Sequence, residues 1–141
     1  MKVELYIPGN PISQPRPRVT RRGWAYVSQK HPIHAYRNKI AAAAKEADVF
    51  FDGAVDIHFE FVFSRPPSHW NKSGLTKNAP EFPVKCDWDN IAKGAQDALN
   101  GIMFKDDNQV CSGSFNRYYA RDRDQEGFTL IRISNVKQRP G

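Results

Sequence analysis

Apolar and polar residues alternate at the start of the chain, with Val3, Leu5 and Ile7 against Lys2, Glu4 and Tyr6. That period of two predicts a half-buried strand, which Pro8-Gly9 ends. The segment from Asn10 to Gly23 holds Pro11, Pro15 and Pro17 among its arginines. It is therefore neither helix nor central strand and reads as an extended basic loop. Trp24 to Ser28 is expected to pair back as a second short strand. Ile33, Tyr36, Ile40, Ala43 or Ala44, and Ala47 then recur at helical spacing, so one helix is predicted from Pro32 to Asp48. His31 and His34 flank its start and read as a solvated helix end.

Asp52-Gly53 is a turn. Val55, Ile57, Phe59, Phe61 and Phe63 alternate without a break and predict a long strand with one buried face, leaving His58 and Glu60 on the other. A second helix is predicted from Asp89, with Ile91, Ala95, Ala98, Leu99 and Ile102 on its apolar face and Asn100-Gly101 as its stop. Val110 to Tyr119 and Phe128 to Ile133 read as strands joined by the charged turn 121–127, and so as a hairpin. The tail from Asn135 is expected to fray. The order of elements gives an α/β class: one small domain over residues 1–141, with a mixed β-sheet flanked by two main helices.

One segment resists this treatment. Residues 64–86 show no periodicity and contain Pro66, Pro67, Pro80 and Pro83. A structureless stretch of that length in a compact domain is functional or mobile. It carries Arg65, Lys72, Lys77 and Lys85 with His69, Trp70 and Phe82 interleaved. Such a mixture can track phosphates and stack on unpaired bases; the alternative is a disordered surface excursion.

Charge sharpens the picture. The 141 residues carry a formal net charge of +6, with 40% hydrophobic residues. A basic balance points to a polyanionic partner. Lys2, Arg16, Arg18, Arg21, Arg22, Lys30, Arg37 and Lys39 face only Glu4 among the first 39 residues. No apolar run approaches the roughly 20 residues that span a bilayer, and the first ten residues lack a signal peptide's apolar core. Cys86 and Cys111 form neither a disulfide framework nor a zinc spacing. The expectation is a reduced, cytoplasmic protein with no membrane partner.

Against this basic background one stretch gathers two pairs of aspartates. Asp87 and Asp89 enter the second helix one residue apart, Lys93 follows one turn later, and Asp106-Asp107 follow the helix. Carboxylates crowded into one site repel each other, and a hard divalent ion relieves that repulsion through oxygen ligands. In an extended entry Asp87 and Asp89 point the same way. A helix of about 12 residues is some 18 Å long, so Asp107 joins them only if the following turn folds back. Each feature also has a purely structural explanation: an aspartate helix cap, an Asp-Asp-Asn turn, or an i, i+4 surface pair of Asp89 with Lys93.

The set Asp87-x-Asp89-Asn90-x-x-Lys93, Asp97-Ala98-Leu99-Asn100-Gly101 and Lys105-Asp106-Asp107-Asn108-Gln109-Val110 resembles the RusA-type Holliday junction resolvases, small endonucleases common in phages and prophages. The motifs cover about a quarter of the chain, and the order of strands and helices agrees over nearly all of it. The resemblance implies that Asp87, Asp89 and Asp107 are catalytic, metal-binding carboxylates and that Lys93 assists. It implies Mg²⁺ as cofactor, with Mn²⁺ substituting, a homodimer, and paired nicks across a four-way DNA junction in recombination and repair. Arg16, Arg18, Arg21, Arg22, Lys72, Lys77 and Lys85 would then contact DNA phosphates. Cys86 and Trp88 depart from the residues expected there, without removing a ligand. Two other functions remain open on the sequence: a metal nuclease for flaps, forks or other branched DNA, and a non-catalytic nucleic-acid-binding protein.

Overall fold

The computed structural model describes residues 1–15, 18–23, 25–26, 28–83 and 88–136, with Arg18, Val19, Ala25, Tyr26 and Trp88 described by their backbone alone. Its centre is a four-stranded mixed sheet. The strands are β1 (Lys2–Pro8), β4 (Val55–Phe63), β7 (Val110–Tyr119) and β8 (Phe128–Asn135), in the order β1-β8-β4-β7. Antiparallel pairing joins β1 to β8 and β8 to β4, whereas β4 and β7 run parallel. Two short ribbons lie outside the sheet: β2 (Arg18–Val19) with β3 (Ala25–Tyr26), and β5 (Trp70–Asn71) with β6 (Gly74–Leu75).

Helices α1 (Ile33–Ala47) and α2 (Trp88–Asp97) share one core with the sheet. Their buried stripes are Ile33, Tyr36, Ile40 and Ala44 on α1, and Ile91 and Ala95 on α2, with Ala98 and Leu99 just beyond. They meet Leu5, Ile7, Ile57, Phe59, Phe61, Ile131 and Ile133, the alternate side chains of the strands. Register explains the fit: Ile131 stands between Leu5 and Phe59, and Ile133 beside Ile57. Thr129, the only buried polar residue among the described residues, is satisfied by the Tyr36 hydroxyl at 2.6 Å, which also ties α1 to the sheet. The opposite sheet face carries Glu4, Tyr6, His58, Glu60, Ser114 and Arg132. It is bonded across strands through His58–Ser114 at 2.7 Å and Arg132–Glu4 at 3.3 Å.

The α/β class, the mixed sheet and both helices follow the sequence pattern, and the ends of α1 fall at Pro32 and at Asp48, which adopts the left-handed conformation. The two histidines bond locally at that helix's start: His31 Nδ1 accepts from the Ile33 amide, and His34 Nε2 meets the Ser28 carbonyl.

Two expectations need correction. β7 and β8 do not form a hairpin, because β4 lies between them and pairs with both. β4 is the strand with the longest unbroken apolar alternation, and burial is greatest at the middle of a sheet. The connection 120–127 crosses the end of β4 instead, held by the Ala120 amide on the Phe63 carbonyl at 2.8 Å. At Gly127 the crossing lies so close to Asn10 and the Val62 carbonyl that no side chain fits.

Residues 64–83, second, are not a disordered excursion. They contain a one-turn 3-10 helix (Pro67–His69) and the β5–β6 ribbon. Arg65 pins them, donating to the Ala120 and Pro80 carbonyls at 2.8 and 2.7 Å with its guanidinium 5.2 Å from the Tyr119 ring centroid. The Tyr119 amide donates to the Glu81 carbonyl at 3.0 Å, so the end of the segment is strapped to β7.

The predicted extended loop 10–23 likewise contains strand β2. At the C-terminal end, the Asn135 and Val136 amides bond the Met1 and Ala54 carbonyls; residues 137–141 lie outside the described part.

Candidate active site

α2 presents two opposite stripes. Ile91, Gly94 and Ala95 face inward, while Asp89, Lys93, Gln96 and Asp97 occupy positions i, i+4, i+7 and i+8 on the outer face. Asp89 sits in the first turn, where a carboxylate interacts favourably with the helix dipole. Asp89 and Lys93 are exposed; Gln96 and Asp97 are half-buried.

The chain then turns back. The Gly101 amide bonds the Phe104 carbonyl at 2.7 Å, and Leu99, Met103 and Phe104 lock this return into the core. A one-turn 3-10 helix (Asp107–Gln109) follows, leading into β7. Asp106 caps it, its carboxylate accepting the Asn108 amide at 2.9 Å. Gln109 fastens it to the approach to β4, donating to the Phe51 and Gly53 carbonyls at 2.7 and 2.9 Å and accepting the Lys105 amide at 2.6 Å.

With the backbone so held, Asp107 Oδ1 accepts from Gln96 Nε2 at 3.1 Å. The fold-back that Asp107 required is therefore present: it lies against the outer face of α2. Gln96 is seven residues beyond Asp89, about 10 Å along the axis.

Electrostatics link these groups. Partial burial raises the carboxyl pKa of Asp97; the nearby Arg37 opposes that shift, the Asp107 charge adds to it, and Lys93 opposes it again. Arg37 Nη2 lies 3.7 Å from Asp97 Oδ2 and donates to Gln14 Oε1 at 2.6 Å. The Gln14 amide in turn reaches the Asn90 carbonyl at 3.3 Å. Gln14 and Ile33 pack against Gly94 so closely that a methyl there would stand 3.4 Å from each. α1, the start of the basic segment and α2 are thus bracketed around the acidic face.

Of the residues named from the sequence, Asp89 and Lys93 share this face, and Asp107 meets it at Gln96. Asp87, Lys85 and Arg16 lie outside the described residues, as does Cys86. Arg18 is described only as backbone, in β2. Arg21 and Arg22 are exposed at the turn after β2, and Lys77 at a turn after β6. Lys72 is exposed at the tip of the β5–β6 ribbon, beside a cleft of about 440 Å³ that Arg65, Trp70 and Arg123 also line. Arg123 lies 5.2 Å from the Trp70 ring centroid.

Sequence reasoning gave no site role to Gln96, Asp97 or Arg37, although Asp97 opens one of the motifs and Arg37 is among the basic residues near the start. The first two carried a usable signal, since they continue the helical stripe of Asp89 and Lys93. Arg37 carried none, because its partners come from distant segments.

The carboxylates here offer oxygen alone, the donor set of a hard divalent ion and not of zinc or copper. Among the described residues no three His, Cys, Asp or Glu side chains enclose an ion by themselves. The family model for the endodeoxyribonuclease RusA matches residues 8–126, which takes in every element from the end of β1 to the crossing after β7. The chain belongs to that family. RusA membership makes it a nuclease by family. The RusA-family chain is also similar to YqaN of Bacillus subtilis (strain 168), an uncharacterized protein, at 26% identity over 127 residues, covering 85% of this chain and 89% of the relative. No helix among the described residues is long and apolar enough to cross a membrane.

Proposed function

We propose that this protein is a divalent-metal-dependent endodeoxyribonuclease that resolves four-way DNA junctions by paired nicks, acting as a homodimer in the cytoplasm. The observation that supports it best is the return of Asp107 to the face of α2 that bears Asp89 and Lys93, in a chain of the RusA family. Asp87, Asp89 and Asp107 are the residues that would hold Mg²⁺ or Mn²⁺. When bound, such an ion would polarise a phosphodiester and lower the pKa of the attacking water, so that it gives up its proton near neutral pH.

The chain's own residues supply the rest. Lys93 places a positive charge one turn from Asp89, directed at the scissile phosphate and the charge that builds on it. Asp97 and Arg37 set the charge balance beside Asp107. Arg16, Arg18, Arg21, Arg22, Lys72, Lys77 and Lys85 contact backbone phosphates, which position DNA without reading its sequence. The bond from Gln14 to Asn90 ties the root of the arginine-rich segment to the active helix, so DNA held by the arginines is presented to the carboxylates.

The test compares end-labelled four-way junction, flap, replication fork and linear duplex in Mg²⁺, Mn²⁺ or EDTA. Symmetric, metal-dependent nicks on the junction, absent with Asp89→Asn, are expected. Equal or better cleavage of flaps or forks would redirect the assignment to another branched substrate. Tight junction binding without scission in any metal would leave a DNA-binding protein.

A further inference from the structure

We propose that Gln96 is a positioning residue of the acidic site: its side-chain amide fixes Oδ1 of Asp107 and so turns the other carboxylate oxygen toward the metal position. This rests on the reading of Asp107 as a metal-binding carboxylate.

Two neighbouring aspartates leave the same turn in different situations. Asp106 is spent on the Asn108 amide. Asp107 is exposed, and Gln109 fixes the backbone beneath it without touching its side chain. An exposed aspartate on a turn has free rotation about both side-chain bonds. Among the described residues the bond from Gln96 Nε2, at 3.1 Å, is the hydrogen bond that limits it.

Glutamine suits this duty. Its amide donates one hydrogen bond and adds no charge, so Asp107 keeps its full attraction for a cation. Lysine in the same place would neutralise the carboxylate, and glutamate would repel it. The bond also holds Asp107 against the face of α2 that carries Lys93 and Asp89. Partners that orient a ligating carboxylate are worth 10–100-fold in metal affinity.

The test uses three variants of the full chain. Gln96→Met keeps length and helix propensity but removes the donor, Gln96→His keeps a donor at similar reach, and Gln96→Glu places a second carboxylate against Asp107. Mn²⁺ binding to the DNA-free protein is measured by electron paramagnetic resonance, beside thermal melting and cleavage of a four-way junction.

Gln96→Met is expected to weaken Mn²⁺ roughly tenfold, with its melting temperature unchanged. Its cleavage shifts to higher metal concentration by the same factor, Gln96→His recovers within about threefold, and Gln96→Glu loses affinity as well. Unchanged Mn²⁺ affinity in Gln96→Met, or a loss that Gln96→His fails to recover, would overturn the proposal. Should Gln96→Met melt early, unchanged affinity in a stably folded Gln96→Glu would overturn it equally.

Wild-type cleavage separates the two levels of the argument. Weaker Mn²⁺ binding in Gln96→Met, in a wild type that cuts no DNA, retains the positioning role and removes the nuclease reading. A wild type that binds no Mn²⁺ at millimolar concentration removes both.

Discussion

Asp106 and Asp107 are chemically identical neighbours with different partners. Backbone geometry separates them: the extended conformation of Asp106 aims its carboxylate at the Asn108 amide, while Asp107 opens the 3-10 turn and faces α2. Nothing in the sequence makes that choice, because Asp-Asp-Asn serves equally as cap, turn or ligand pair. The stripe Asp89, Lys93, Gln96 and Asp97 was legible from helical spacing alone; the identity of the residue that meets it was not. The division of labour has a measurable consequence. Asp106→Ala should cost about 1 kcal/mol, the usual worth of such a cap, in urea unfolding, while metal-dependent cleavage persists at saturating metal. Loss of cleavage without loss of stability would move the catalytic duty to Asp106.

Among the elements, local patterning placed both helices and all four sheet strands, because each buries one face and its period shows in the chain. The pairing of β7 with β8 misled, since two strands joined by a short charged segment have the form of a hairpin. What decides their positions is β4, which needs a neighbour on both edges, and that competition between strands is not local. The ribbon β5–β6 was likewise hidden, being too short for periodicity and held by Arg65 and Glu81 from outside.

The open sheet face offers a check on this arrangement. Tyr118 on β7 donates to Glu60 on β4 at 3.4 Å, and its pKa is raised, by partial burial first and then by the charge and hydrogen bond of Glu60. The folded chain therefore holds this proton more tightly than the unfolded one. Its contribution to stability is full below the ordinary tyrosine value near 10 and is lost as pH rises through the folded value. The difference between wild-type and Tyr118→Phe absorbance titrations at 295 nm should show one phenol with a midpoint above 10. A midpoint at or below 10 would place Tyr118 away from Glu60.

At the scale of the whole molecule, a two-layer domain carries an acidic face on the helix farther along the chain, and an arginine-rich segment near the start. Arg37, Gln14 and Asn90 join the two. The net charge of +6 predicted a polyanion, but only the fold shows that the root of the basic segment is bonded to α2. The central claim is that Asp107, delivered by the return after α2, works on the same phosphodiester as Asp89. It is tested most directly by Asp107→Asn, which keeps size and hydrogen bonding to Gln96 but removes the charge. Cleavage of a labelled four-way junction in Mn²⁺ should fall by at least about a thousandfold, a scale set by losing a charge-stabilising group from an active site, while junction binding in EDTA stays within a few-fold of wild type. Cleavage within tenfold of wild type would contradict the account.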